Sequence, residues 1–285
     1  MSTNHQLTEV RAISSSYNSE NRRASPFMVA MRDLIDGFRH HHIWLLLGWQ
    51  DIKQRYRRSV LGPFWLTLST AVVITGMGPL YGRLLGQSVL DYWPFLSASI
   101  VLWGLMATLI GECCGVFTSA EGIIKQLKLP LSLHVYRLVW RNFIIFAHNM
   151  VFVLPVMIFL GPGINANWLL IPVGLFLYAA NSIWLGLVLG VLCARFRDIP
   201  LIVTTIVQLM FIMTPVFWKP EMLGDRQWAA HINPMFHMLE IVRAPLLGQT
   251  GSALSWMVVG GMTVFGYLLA LVLFAKFRSR VAYWL

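Results

Sequence analysis

The residues that bear most directly on chemistry lie in the apolar segment 199–217 and just beyond it. Thr204, Gln208, Phe211 and Trp218 recur at helical spacing, so on one continuous helix they share a face. A glutamine amide in lipid leaves its polar atoms unpaired, so this face is expected to meet protein or water. Aromatic, amide and hydroxyl groups together suit contact with a sugar. The sequence predicts that the face lines a passage, with ordinary packing as the alternative.

The first apolar segment carries a similar pair of side chains. Trp65 and Ser69 are separated by four residues and therefore lie on the same side of a helix. We expect them to line the same passage as Gln208, again with packing as the alternative reading.

Residues for catalysis, nucleotide binding or metal binding are missing from the sequence. The dipeptide Gly-Lys does not occur, which excludes a Walker A loop. Glu112 is the only carboxylate within a predicted span, so paired carboxylates for acid–base work and the buried charges of an ion-coupled carrier are absent. The histidines at 40–42 point about 100° apart on a helix, which is unsuited to a metal site. We expect neither enzymatic activity nor a cofactor in this chain.

The composition indicates a membrane protein. Of 285 residues, 57% are hydrophobic and 12% are charged, against about 25% charged in a soluble domain. The net charge of +10 comes from short basic clusters between apolar runs, which is typical of cytoplasmic membrane loops and excludes nucleic-acid binding. Residues 1–25 lack periodicity and a hydrophobic signal region, and we interpret them as a disordered cytoplasmic tail.

Six apolar segments follow the N-terminal region. They are predicted as spans at 62–84, 94–118, 138–160, 168–193, 199–217 and 254–275. With both termini inside, only four of the 22 lysines and arginines fall outside: Arg83, Lys219, Arg226 and Arg243. The prediction is an all-α, polytopic membrane protein with six transmembrane helices and both termini in the cytoplasm.

The segments between the spans carry structure of their own. Residues 26–59 show helical spacing of apolar residues and predict an amphipathic interfacial helix, with short re-entrant helices in 219–251. The interfacial helix ends in Lys53, Arg55, Arg57 and Arg58, which suit anionic lipid headgroups, or form a solvated basic face. A short helix in 119–137 places Ile123, Ile124 and Leu127 on one side, for docking to a partner or for lying on the bilayer.

Several motifs carry a resemblance to a known family. They are LGWQDIKQRYRRSVLGPFW at 47–65, RFRD at 195–198, TPVFW at 214–218, Asn233-Pro234 followed by Arg243, and a basic C-terminus. Together they resemble the ABC-2-type permeases that export O-antigen, capsule and teichoic-acid polysaccharides. The resemblance covers residues 30–285, and it implies a transmembrane domain of this type at 26–285. The loop 119–137 departs from the family pattern, because Ser119-Ala120-Glu121-Gly122 stands where an asparagine-rich start is expected.

The resemblance implies the transmembrane subunit of an exporter in the bacterial inner membrane, a homodimer with two separate ATP-binding-cassette subunits. ATP and magnesium belong to those partners, and the cargo is a polysaccharide linked to polyprenyl pyrophosphate, moved from cytoplasm to periplasm. It implies access of the lipid pyrophosphate near Lys53, Arg55, Arg57 and Arg58, and coupling to the ATPase through Ile123, Ile124, Leu127, Arg197 and Asp198. An external gate is implied at Trp228, Asn233, Pro234 and Arg243. The alternatives are an ABC-2 exporter of small molecules or drugs, and a membrane-embedded glycosyl- or acyltransferase.

Overall fold

The computed structural model describes residues 25–57, 64–127 and 129–285. The predicted tail before Ser25, Arg58, the end of the predicted interfacial helix and the start of the first predicted span lie outside the described residues. Every regular element in the described ranges is helical. The α-helices are α1 (Pro26–Arg39), α2 (His41–Arg55), α3 (Phe64–Leu84), α4 (Val89–Cys114), α5 (Glu121–Gln126), α6 (Ser132–Phe159), α7 (Ile171–Arg195), α8 (Ile199–Met213), α9 (Trp228–His231), α10 (Pro234–Leu246) and α11 (Ala253–Trp284).

Four of the described helices are long and apolar enough to cross a membrane. They are α4, α6, α7 with the 3₁₀ turn before it, and α11. Helix α3 has 21 residues and α8 has 15, and these six helices match the positions of the six predicted spans. The chain is therefore a multi-pass helical membrane protein, while the count of six spans and the cytoplasmic termini remain predictions.

Helix α8 ends earlier than the apolar segment that contains it. The last helical residue is Met213, and Thr214 has extended backbone angles of φ −88° and ψ 137°. Thr214 precedes Pro215, whose ring disfavours the helical conformation in the residue before it. The backbone from Thr214 to Trp218 is therefore a turn rather than the last turn of a helix.

Helix α4 is the centre of the bundle. It packs against α3, α6, α7, α8 and α10, and 72% of its most apolar stretch is buried inside the chain. Its sequence is apolar on every side, which is the pattern of a fully buried helix. The hydroxyls of Ser97 and Ser99 donate to the backbone carbonyls of Pro94 (3.0 Å) and Phe95 (2.7 Å), so these polar groups are satisfied within the helix.

The predicted N-terminal amphipathic segment forms two helices, α1 and α2, separated at His40. The Ser25 hydroxyl caps α1 by accepting from the backbone N–H of Met28 at 3.3 Å. One side of α1 is exposed and apolar, including Phe27 and Phe38, as an interfacial helix requires. The other side of α1 packs against α6 and α11, so α1 is also part of the bundle.

Short helices fill the connection between α8 and α11, as predicted. A 3₁₀ segment, Pro220–Arg226, is followed by α9 and α10. Helix α10 begins at Pro234, with the Asn233 side chain accepting from the backbone N–H of Met235 at 2.9 Å. Most of α10 is buried against α4, α7 and α11, so this connection belongs to the core of the molecule.

Candidate functional site

Helix α8 contacts the rest of the chain along one side only. Val203, Val207 and Met210 are half-buried against the core, while Thr204 and Gln208 are exposed. The Thr204 hydroxyl donates to the backbone carbonyl of Pro200 at 2.8 Å and is thereby satisfied within the helix. We call the exposed side of α8, which carries Thr204 and Gln208, the free side. Gln208 has the only amide side chain of α8.

The predicted common face of Gln208, Phe211 and Trp218 is split in the structure. The Phe211 ring packs against Trp103 of α4, with ring centres 5.4 Å apart, and edge-on against Phe217 at 4.8 Å. Trp218 is beyond the end of α8, and its indole N–H donates to the carbonyl of Ile212 at 3.3 Å. The prediction of one continuous stripe is therefore wrong, because it extended the helix through Pro215.

Trp65 and Ser69 are exposed on α3, and their predicted place in a passage stays a prediction. Helix α3 packs against α4 and α6, whereas α8 packs against α4. The two sets of predicted lining residues, on α3 and on α8, therefore lie on helices that both pack against α4.

The turn after α8 is fixed by side chains from distant parts of the sequence. The Asn233 amide donates to the Thr214 hydroxyl at 2.8 Å, and both groups are buried. The Tyr92 hydroxyl donates to the carbonyl of Phe217 at 2.5 Å. We call Thr214–Phe217 together with Tyr92, Asn233 and Arg243 the turn cluster.

Arg243 holds the middle of the turn cluster. It is 2% exposed and donates to the Pro215 carbonyl (2.5 Å), the Ser99 hydroxyl (3.1 Å) and the Glu240 carboxylate (2.8 Å). Its guanidinium also lies over the Phe95 ring, 4.7 Å from the ring centre. One buried cation thus links α10, α4 and the turn after α8.

The predicted gate residues are only partly brought together. Asn233, Pro234 and Arg243 lie at or beside the turn cluster, next to a cavity of about 790 Å³ lined in part by Asp91 and Glu240. Trp228 is 62% exposed on α9 and does not line this cavity.

A second polar cluster ties α2 to α6. Asp51 of α2 accepts two hydrogen bonds from the Arg137 guanidinium, one of them at 2.7 Å, and a third from Arg141 at 3.0 Å. Burial raises the pKa of Asp51, but the hydrogen bonds and positive charges of Arg137 and Arg141 outweigh it and hold the pKa below its ordinary value. The carboxylate therefore stays ionised and holds α2 to α6.

Glu112 extends this cluster to α4. Its carboxylate accepts from Arg141 (2.6 Å), Asn142 (2.6 Å) and Arg55 (3.0 Å). The sequence analysis found Glu112 only as the single carboxylate within a predicted span. The spacing of Arg137 and Arg141, four residues apart on one helix, was the available signal of a charged face there. We call Arg55, Asp51, Glu112, Arg137 and Arg141 the arginine cluster.

The basic residues predicted to meet the lipid pyrophosphate have different neighbours. Arg55 pairs with Glu112, and the Lys53 ammonium lies 5.8 Å from the centre of the Trp49 ring. Arg57 is exposed, and Arg58 lies outside the described residues. Lys53 and Arg57 are the members whose charges have no carboxylate partner among the described residues.

Comparison with known proteins identifies the family. Residues 42–247 match the profile of the ABC-2 type transporter family, which is well over half of the chain. The chain belongs to the ABC-2 type transporter family. It is 22% identical over 214 residues to an O-antigen export system permease protein RfbA of Myxococcus xanthus, covering 73% of this chain and 81% of that protein. An RfbA of Klebsiella pneumoniae is 21% identical over 241 residues, covering 82% of this chain and 91% of that protein.

As a member of the ABC-2 type transporter family, this chain is the membrane subunit of a transporter. The family implies an ATP-binding-cassette partner. The predicted coupling residues of this permease lie at one end of the bundle. Arg197 and Asp198 are exposed, and neighbouring Arg195 lies over the ring of Trp284 at 5.3 Å, near the C-terminus of α11. Helix α5 also contacts α11.

The side of α5 that was predicted to dock to a partner is not the side that is exposed in the structure. Ile124 is 8% exposed and packs into the chain's own core, while Ile123 and Leu127 are half-buried. The exposed side of α5 consists of Gly122, Lys125 and Gln126. A partner that binds the permease at α5 would therefore meet a polar surface rather than Ile124.

Proposed function

We propose that this chain is the membrane subunit of an exporter that moves a polysaccharide linked to polyprenyl pyrophosphate from cytoplasm to periplasm. Two copies work with two separate ATPase subunits, which bind ATP and magnesium. The assembly lies in the bacterial inner membrane with the termini of this chain in the cytoplasm. The similarity of most of the chain to permeases named for O-antigen export supports this cargo.

The observation that carries the proposal is the free side of α8. Gln208 is exposed there in the single chain, and an amide exposed to lipid leaves its polar atoms unpaired. A second copy of the chain can enclose this side and supply protein or water as its neighbour. Trp65 and Ser69 of α3, exposed beside the same central helix α4, would border the resulting conduit.

The chemistry of the free side suits a long glycan. Thr204 and Gln208 offer hydroxyl and amide groups, without any charge that would hold one sugar tightly. Weak repeated contacts let a polymer slide, whereas a single tight site would stall it. Phe211 and Trp218 are proposed to border the conduit at its edge, since the Phe211 ring packs against Trp103 and Phe217.

The turn cluster is proposed to be part of the outer gate. It closes the end of α8 through buried hydrogen bonds from Asn233 and Arg243, so movement of α10 would move this turn. Pro234 starts α10 and Trp228 offers an exposed ring before it, within reach of a glycan that leaves the conduit.

The opposite end is proposed to receive the lipid carrier and the ATPase. Lys53 and Arg57 are basic groups at the end of α2 that suit a pyrophosphate, together with Arg55 and Arg58. Arg197 and Asp198, with Ile123, Ile124 and Leu127 positioning α5, are proposed to couple the ATPase to the bundle. Because Ile124 belongs to the chain's own core, it would act by holding α5 in place.

Cysteine labelling tests the conduit. Gln208→Cys should react with a charged, water-soluble thiol reagent in membranes that contain the chain and its ATPase, because residue 208 faces the conduit. Labelling should then reduce surface polysaccharide, measured by gel and immunoblot of cells. The native cysteines Cys113, Cys114 and Cys193 are buried, so the background reaction should be small.

Val207→Cys is the matched control. Residue 207 is the adjacent position and packs towards α4, so its cysteine should remain unlabelled and export should continue. Equal labelling at 207 and 208, or labelling at 208 with full export, would contradict the proposed conduit.

A further inference from the structure

A polar cavity lies between α2, α6 and the 3₁₀ turn Thr118–Ala120. Its volume is about 230 Å³, and its wall includes Asp51, Ser119, His134, Arg137 and Arg141. Glu112 does not line the cavity, although its carboxylate accepts a hydrogen bond from Arg141 of the wall. Ser119 is exposed, so its hydroxyl stands at the mouth of the cavity.

Two groups on this wall are buried without a hydrogen-bond partner. His134 is 3% exposed, and neither of its ring nitrogens has a partner among the residues that the structure describes. The same holds for Nε of Arg141, whose other two nitrogens bond to Asp51 and Glu112. Arginine Nε carries an N–H donor, and an imidazole presents at least one donor in either tautomer. These nitrogens have almost no accessible surface. Because unpaired buried donors are costly, a small movement of these side chains towards an acceptor in the cavity is favourable.

The formal charge around the cavity identifies the kind of ligand. The arginine cluster contributes three positive charges, from Arg55, Arg137 and Arg141, and two negative charges, from Asp51 and Glu112, with the histidine counted as neutral. Water fills polar cavities of this size, at roughly 30 Å³ per molecule, but it leaves the excess positive charge uncompensated. Guanidinium groups match the geometry and charge of oxyanions such as phosphate.

We infer that this cavity binds a phosphate-class oxyanion, held by Arg141 Nε, the Arg137 guanidinium, His134 and the Ser119 hydroxyl. The anion neutralises the wall and accepts hydrogen bonds from the unpaired donors. It also connects α2 and α6 to the turn that leads directly into α5. The inference does not depend on which cargo the chain moves, because these residues are separate from the free side of α8.

The first test supplies the anion covalently. Ser119→Glu places a carboxylate at the mouth of the cavity, next to the two guanidinium groups. The purified full-length variant should unfold at a temperature a few degrees above that of the wild type in phosphate-free buffer. Inorganic phosphate should raise the melting temperature of the wild type, relative to chloride at equal ionic strength, and should leave the variant unchanged.

Thr118→Glu is the matched control, since residue 118 lies on the same turn but does not line the cavity. It should keep the phosphate response and the melting temperature of the wild type. His134→Leu removes an unpaired donor without adding charge, and it should raise the phosphate concentration for half-maximal stabilisation by about tenfold. No phosphate response in wild type that carries no bound phospholipid, or equal behaviour of the 118 and 119 variants, would overturn the inference.

Native mass spectrometry of the same samples separates the two sources of phosphate. If the ligand is a lipid headgroup, wild type and Thr118→Glu should carry a bound phospholipid that Ser119→Glu has lost. If the ligand is free phosphate, the phosphate response should occur without a lipid adduct. A lipid adduct that persists in Ser119→Glu, together with a phosphate response in this variant equal to that of the wild type, would contradict the site.

Discussion

Arg243 shows what a single charged residue does inside this bundle. It is buried, yet each of its neighbours is an acceptor or a ring: Ser99, Pro215, Glu240 and Phe95. The cost of desolvating the cation is offset by these contacts, which no shorter side chain can reproduce together. The residue therefore acts as the connection between α4, α10 and the turn after α8.

Replacement of Arg243 should destabilise the chain. Arg243→Met keeps much of the apolar stem but leaves the Glu240 carboxylate and the Pro215 carbonyl without their donor. We expect a loss of about 3–5 kcal/mol in the free energy of unfolding, which is the usual cost of removing one partner of a buried pair. Thermal unfolding in detergent measures this loss.

The control for this prediction is Arg226→Met, an exposed arginine in the 3₁₀ segment Pro220–Arg226. It should change the melting temperature little. If both substitutions have the same small effect, the contacts of Arg243 contribute no net stability to the turn cluster.

Among the elements, α1 differs most from its sequence pattern. The polar residues of an amphipathic helix ordinarily lie on its solvated side, but Asp33 is fully buried. Its carboxylate accepts from the backbone N–H groups of Leu131 (3.1 Å) and Ser132 (2.9 Å) at the start of α6, and Arg278 of α11 donates to it. A negative charge is favourable at a helix N-terminus, so Asp33 anchors α1 to both helices.

Close approach between α1 and α6 requires a glycine. A Cβ at Gly37 would lie 2.1 Å from the Ser132 hydroxyl, which itself donates to the Asp33 carbonyl at 2.6 Å. Gly37→Ala should therefore separate α1 from α6 and reduce the free energy of unfolding by about 1–3 kcal/mol, as overpacking usually does. Thermal unfolding and the rate of tryptic cleavage within α1 measure the effect.

Gly104→Ala is the comparison at another helical glycine, where an added Cβ has nothing within 4 Å. It should be neutral or stabilise by up to about 1 kcal/mol, because alanine is the better helix former. A Gly37→Ala chain as stable and as protease-resistant as the Gly104→Ala chain would show that α1 is not packed against α6.

At the scale of the whole molecule, the chain is one part of a transporter. The sequence has no Walker A loop, so the purified chain should bind and hydrolyse no ATP by itself. Reconstitution of the chain in liposomes with its ATPase subunit should yield ATP-dependent movement of lipid-linked glycan. Hydrolysis by this chain in the absence of the ATPase, and unaffected by inactivation of any contaminating ATPase, would contradict the division of labour.

The sequence alone determined the class of the protein and much of its layout. Long apolar runs must become helices in a membrane because lipid cannot satisfy backbone hydrogen bonds, so the helical class and the helix positions were readable. Local signals also determined the short helices after α8, with Asn233-Pro234 marking the start of α10. The end of α8 was equally local, since Thr214 precedes Pro215, although the predicted span ran past it.

Only the tertiary structure decided which polar residues meet. Asp33 with Ser132 of α6, Asp51 with Arg137, and Arg243 with Pro215 are separated by 28 to 99 residues along the chain. A periodic pattern shows which side of a helix is apolar, but it does not show which neighbour that side faces. For the same reason Phe211, predicted to line a passage, and Ile124, predicted to dock to a partner, pack within their own chain, while Gln208 stays exposed. Packing against α4 made that distinction, because burial depends on the neighbours that the fold brings together.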